Sequence, residues 1–129
     1  PSEEIKYIIP KVDRINNALM VVKNDTLFEL VKSNSNKISL SLCPLSDQLF
    51  RLESFLQNYP IKEVMKKDLL CTINSDAPAY FKGYIGDNYY ALVHKLNLTK
   101  DDIKKLAINS FDASFINQKE KDKEFKSKI

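Results

Sequence analysis

The sequence carries one histidine, two cysteines and two glycines in 129 residues. Its single histidine, His94, falls mid-helix in the local pattern and reads as an exposed or half-buried helix residue rather than a ligand. Cys43 and Cys71 form no Cys-x-x-Cys pair, so a cysteine zinc site is not expected. Both lie in apolar, strand-like segments and read as buried thiols of a reducing cytoplasm. Gly83 and Gly86 sit close together, which predicts a turn needing positive φ. No apolar run approaches the ~20 residues of a spanning helix, and Pro1-Ser2-Glu3-Glu4 is no signal peptide. A net charge of +3 is small for this length and points to neither nucleic acid nor membrane.

What is present is ordinary for a soluble globular chain: 43% hydrophobic and 29% charged residues, enough for one domain at most. The organising stretch is residues 69–81. Leu69-Leu70-Cys71-Thr72-Ile73 runs into Asn74-Ser75-Asp76, and Pro78 ends the strand soon after. A carboxylate at the carboxyl end of a buried strand is where an α/β barrel places its chemistry.

The rest of the chain alternates between helix and strand patterns. Residues 2–12 read as a helix with Ile5, Ile8, Ile9 and Val12 on one face, Ser2 as its cap, and a kink or end at Pro10. The start of residues 13–22 suits a short strand with a polar tip. Asn24 or Asp25 caps a helix through residue 32, and residues 33–36 make a loop. Residues 37–43 alternate polar and apolar at period two, a strand signal. Leu49, Phe50, Leu52, Phe55 and Leu56 space as one helical face, and Pro60 opens a helix whose buried stripe is Ile61, Val64 and Met65. Residues 88–96 are helical. Thr99 caps a last long helix with Asp101 and Asp102 in its first turn and Ile103, Leu106, Ala107 and Phe111 inside. Residues 118–129 are a mixed-charge helix or tail.

Four motifs then carry a resemblance. Ser75-Asp76-Ala77-Pro78-Ala79-Tyr80-Phe81-Lys82-Gly83-Tyr84 resembles the Ser-Asp-Asp-Pro-Ala-Tyr-Phe-Gly-Gly-Tyr signature of the adenosine/adenine deaminase family. Val12-Asp13-Arg14-Ile15-Asn16-Asn17-Ala18 is similar to the family's Val-Asp-Arg-Ile-Asp-His-Gly. Cys43-Pro44-Leu45-Ser46-Asp47 is similar to Cys-Pro-Leu-Ser-Asn, and residues 107–115 to Ala-Arg-Asn-Ser-Phe-Glu-Ala-Ser-Phe. The register covers nearly the whole chain, and Pro-Ala-Tyr-Phe and Gly-Asp-Asn-Tyr look more like the adenine than the adenosine branch.

The resemblance implies an α/β fold, a partial TIM barrel made of about the last three βα units of a (β/α)8 metallo-dependent hydrolase. A complete barrel takes roughly 250 residues, about twice this chain. Residues 1–117 would be the carboxy-terminal portion of the deaminase-like domain and residues 118–129 the charged tail. The family reaction is hydrolytic deamination of a purine base or nucleoside on zinc. Its zinc is held by a His-x-His pair, a histidine of a His-Ala-Gly-Glu motif and the aspartate at the position of Asp76. The glutamate of that motif shuttles protons.

This chain has neither histidine motif. Asn17 stands at the family's catalytic histidine and Ala77 at its second aspartate. Asn cannot carry charge near neutrality, and Ala accepts no hydrogen bond. Asp76 is therefore a metal ligand by resemblance and a turn residue when read alone. Ser46, Asp47 and Ser75 are polar groups at strand ends, equally suited to capping. Zinc, the family's cofactor, is expected not to bind this chain by itself, and no catalytic set is intact. The expectation is a deaminase-like portion that is inactive alone. The alternatives are half of a split deaminase completed by another chain, or a non-catalytic assembly module. Open barrel edges would suit a homo-oligomer or a complementary amino-terminal half.

Overall fold

The computed structural model describes residues 2–34, 38–49, 53–121 and 123. Helix α1 (Ser2–Ile8) passes into a 3-10 turn (Ile9–Lys11) at Pro10, as the missing proline N–H requires. Strand β1 (Arg14–Ile15) follows, then α2 (Leu19–Val22) and α3 (Asp25–Ser33). Next come β2 (Ser39–Leu42), α4 (Pro44–Leu49), a 3-10 segment (Glu53–Asn58) and α5 (Ile61–Lys66). Strand β3 (Cys71–Ile73) leads to α6 (Pro78–Phe81), α7 (Ile85–Leu96), α8 (Lys100–Asp112) and α9 (Gln118–Glu120).

The three strands form one parallel sheet in the order β1-β2-β3. Arg14 pairs with Ser39 and Ile15 with Leu40; Leu40, Ser41 and Leu42 pair with Cys71, Thr72 and Ile73. Helices must return the chain between parallel strands, and they do so here. The fold is thus α/β with a short parallel sheet, consistent with a part of a barrel.

The register sorts the side chains into two faces. Leu40, Leu42, Cys71 and Ile73 face the helices and join the main core with Leu27, Phe28, Val31, Ile61, Val64, Leu92 and Leu106. Arg14, Ser39, Ser41 and Thr72 share the other face. Ser39, Ser41 and Thr72 are nonetheless buried. The period-two pattern of β2 therefore separates a polar interior from an apolar one, rather than water from core.

Several local expectations are corrected. Neither glycine has positive φ; the left-handed residues are Asn17, Asp68, Asp76, Lys82 and Asn97. Gly86 lies inside α7, and Gly83 is there for space: a Cβ on it would meet Leu45 Cδ1 at 2.5 Å. Ile8 and Leu49 point outward, whereas Ile9 and Leu56 are buried, because the 3-10 turns reset the helical phase. Phe50 and Leu52 lie outside the described residues, as does the side chain of Ser2. Asn24, not Asp25, caps α3: its Oδ1 accepts from the Leu27 N–H at 3.1 Å. On α8 the fully buried side chains are Leu106 and Asn109, with Ile103, Ala107 and Phe111 half-buried. Of residues 118–129, α9 and Lys121 and Lys123 are described.

Candidate active site

The ends of the three strands converge on one open cavity of about 680 Å³. Asn16 and Asn17 after β1, Cys43 after β2, and Asn74, Ser75 and Asp76 after β3 line it. The polar face of the sheet contributes Arg14, Ser41 and Thr72, and Ser110 and Ser114 also line it.

This polar face is internally satisfied. Asn74 Nδ2 donates to Ser41 Oγ and to Thr72 Oγ1, both at 2.8 Å. Arg14 Nε donates to Ser39 Oγ at 3.4 Å, and Ser39 Oγ donates to the Asp13 carbonyl at 3.3 Å. Arg14 also donates to the Ala113 carbonyl and stacks over the Phe115 ring at 4.5 Å. Sequence reasoning missed this layer, although the alternation in residues 37–43 marked half of it.

Asn17 and Asp76 come to the same cavity, and both have left-handed backbones, with φ of 50° and 59°. Asn and Asp adopt this conformation more readily than other non-glycine residues. Asp76 is exposed, and its Oδ2 accepts from Ser46 Oγ at 2.7 Å. Ser46 itself is buried. Asp47 turns elsewhere, accepting from the hydroxyl of buried Tyr59 at 2.7 Å. Burial first and the Asp47 carboxylate second push the Tyr59 phenol far above its ordinary range. Ala77 precedes α6 and does not line the cavity.

The side chains around the cavity offer few donors for zinc. Burial, then Asp76 and Asp47, push the Cys43 thiol up to about 11, the opposite of what a thiolate ligand needs. His94 is exposed on α7, its ring 4.1 Å from that of Tyr90. Among the described residues no three His, Cys, Asp or Glu side chains gather where a metal could be held. Asp76 is a single carboxylate, and a catalytic zinc needs about three protein ligands. The described residues do not fit the ion.

A second cavity, of about 620 Å³, includes Lys32, Lys67, Lys105, Asp68 and Leu69 in its lining, and so lies toward the amino end of β3. Its lysines are already paired, with Glu29, Glu63 and Asp68 respectively, so it presents no excess positive charge.

The adenosine deaminase family profile matches residues 7–129. The chain belongs to the adenosine deaminase family. An adenine deaminase of Streptomyces coelicolor is 42% identical over 110 residues, which are 84% of this chain and 32% of that protein. One of Wolinella succinogenes is 38% identical over 111 residues, 86% of this chain and 33% of the relative. This member of the family thus spans about a third of the length of the curated relatives it matches, consistent with a carboxy-terminal part. The crystal structure of an adenine deaminase from Arthrobacter aurescens superposes with a TM-score of 0.83 at 29% identity, covering 95% of this chain and 37% of that one. An amidohydrolase from Burkhoderia ambifaria, solved with bound Zn, shares the fold at a TM-score of 0.75 and 18% identity.

Proposed function

We propose that this chain is the carboxy-terminal portion, about the last three βα units, of an adenine deaminase-like (β/α)8 barrel, and that it does not deaminate purines by itself. One observation carries the reading. Asn17 and Asp76 meet at the open cavity in left-handed backbones, with an amide at the position where the family resemblance puts a histidine. Asp76 would be one zinc ligand in a complete site, and among the described residues no group of three His, Cys, Asp or Glu side chains forms around it. Ala77 cannot supply the second carboxylate.

The chemistry explains why these gaps are severe. Hydrolytic loss of an amino group needs an activated water and an acid for the ring nitrogen. Each positioned acid, base or charge-stabilising group accounts for roughly 10² to 10⁴ in rate. Asn17 can orient a water by hydrogen bonding but cannot take its proton. The names of the relatives favour adenine over adenosine as the ancestral substrate.

The test is zinc content by elemental analysis together with ammonia release from adenine and adenosine. Neither zinc nor ammonia is expected from the purified chain. Stoichiometric zinc with turnover would overturn the reading.

A further inference from the structure

Gly86-Asp87-Asn88-Tyr89 lies at the start of α7, and none of its residues lines the cavity beside Asp76. Asn88 nevertheless joins the two segments that do reach the site. Its side chain is fully buried and bonds only to main chain. Oδ1 accepts from the Leu45 N–H at 3.0 Å. Nδ2 donates to the Tyr84 carbonyl at 2.9 Å and more weakly to the Gly83 carbonyl at 3.4 Å. One donor on one side and two acceptors on the other fix the amide in a single orientation. Leu45 stands in the first turn of α4, where an N–H has no partner within its own helix. Asn88 supplies that partner from another element.

The residue after each of these main-chain partners belongs to the site. Ser46 follows Leu45 and donates to Asp76 Oδ2 at 2.7 Å. Ile85 follows Tyr84 and lines the cavity. There is little slack beside the amide, since a Cβ on Gly83 would meet Leu45 Cδ1 at 2.5 Å. We propose that Asn88 is a positioning residue of the candidate site. By pinning the first turn of α4 to the start of α7, it sets where the Ser46 hydroxyl stands, and so holds the Asp76 carboxylate and its left-handed backbone. The inference rests on the reading of this cavity as a deaminase-like site in which Asp76 is the metal-ligand position. Asn88 acts through Leu45 and Ser46, for its own hydrogen bonds do not extend to Asp76.

Nuclear magnetic resonance on the isotopically labelled chain tests this. A left-handed residue brings its own amide and α protons together and gives a strong cross-peak between them. Asp76 and Asp68, at opposite ends of β3, should both show it. Asn88→Leu keeps the side-chain size but can neither accept nor donate. It should weaken the Asp76 cross-peak about twofold or more as the left-handed conformation is lost, and leave that of Asp68 unchanged. Asn88→Asp keeps an oxygen for the Leu45 N–H and should retain the Asp76 signal. Ser46→Ala should weaken it as Asn88→Leu does. Lower stability of Asn88→Leu with an unchanged Asp76 signal would mean a structural role alone and overturn the proposal, as would an unchanged signal in Ser46→Ala. Should the Asn88 variants not fold, the scalar coupling across the Leu45–Asn88 hydrogen bond in the unaltered chain decides together with Ser46→Ala. Both results as expected support the proposal, and failure of either overturns it. None of these signals depends on zinc or on ammonia release, so this inference and the proposed function can fail separately.

Discussion

Ser46 Oγ donates to Asp76 Oδ2 at 2.7 Å and so ties the segment after β2 to the segment after β3. The hydroxyl is buried and the carboxylate faces the cavity, so the bond orients Asp76 and helps hold its left-handed backbone. Hydrogen bonds to charged groups contribute about 1.5–3 kcal/mol, and this one is partly exposed. Ser46→Ala should therefore lower stability by about 1–2 kcal/mol in urea denaturation. An unchanged midpoint would show that Asp76 is held by its backbone alone.

Lys82 and Gly83 have exchanged their expected roles. Lys82 takes the left-handed conformation (φ 52°) at a position where the family signature has glycine. Left-handed backbone costs a non-glycine residue roughly 1 kcal/mol, partly offset by glycine's greater unfolded-state entropy. Lys82→Gly should raise stability by up to about 1 kcal/mol. Gly83→Ala should cost about 1 kcal/mol, because its methyl would enter the space of Leu45. A double-mutant cycle with Leu45→Ala checks the cause: relief of the penalty is expected, and strict additivity would refute it.

Thr99 and Asp102 cap α8 reciprocally. The Asp102 N–H donates to Thr99 Oγ1 at 3.1 Å, and the Thr99 N–H donates to Asp102 Oδ2 at 2.8 Å. The backbone N–H of Thr99, then its hydroxyl, hold the Asp102 carboxyl below its ordinary value. A depressed carboxylate stabilises the fold above its unfolded value of 3.8, and this is lost as pH falls through the lower folded value. Thr99→Ala should cost about 1 kcal/mol at neutral pH. The difference between variant and parent should shrink in acid, which denaturation at pH 7 and pH 3 would read.

Both cysteines are buried and their thiols are pushed up to about 11, chiefly by burial. They should resist alkylation at pH 8 in the folded chain and react fully in denaturant. The folded values lie above the ordinary value of 9.0, so their contribution is complete at neutral pH. It is lost as pH rises from about 9 towards 11. A native thiol titrating rapidly at pH 8 would contradict the packing of Cys43 beneath the cavity.

Much of the architecture was legible because it depends on local pattern. The caps Asn24 and Thr99, the break at Pro10 and the stripe of Ile61, Val64 and Met65 are all decided within a turn or two of chain. The motifs around Asp13, Cys43, Asp76 and Phe111 likewise pointed to the family before any contact was known. The site was legible only in part. Asn17 and Asp76 do meet at the cavity, whereas Asp47, a strand-end carboxylate of the same type as Asp76, turns to Tyr59.

The sequence by itself determined the helix and strand alternation, the family and the absence of the histidine motifs, since these depend on residue type and spacing alone. Tertiary structure decided which face of the sheet is polar, that Lys82 rather than a glycine is left-handed, and that Gly83 is needed where Leu45 passes. It also decided that Asn74 satisfies Ser41 and Thr72 across two strands. These outcomes follow from how separate strands register and how closely their ends pack, and no periodicity within one segment encodes the distance to a residue on another.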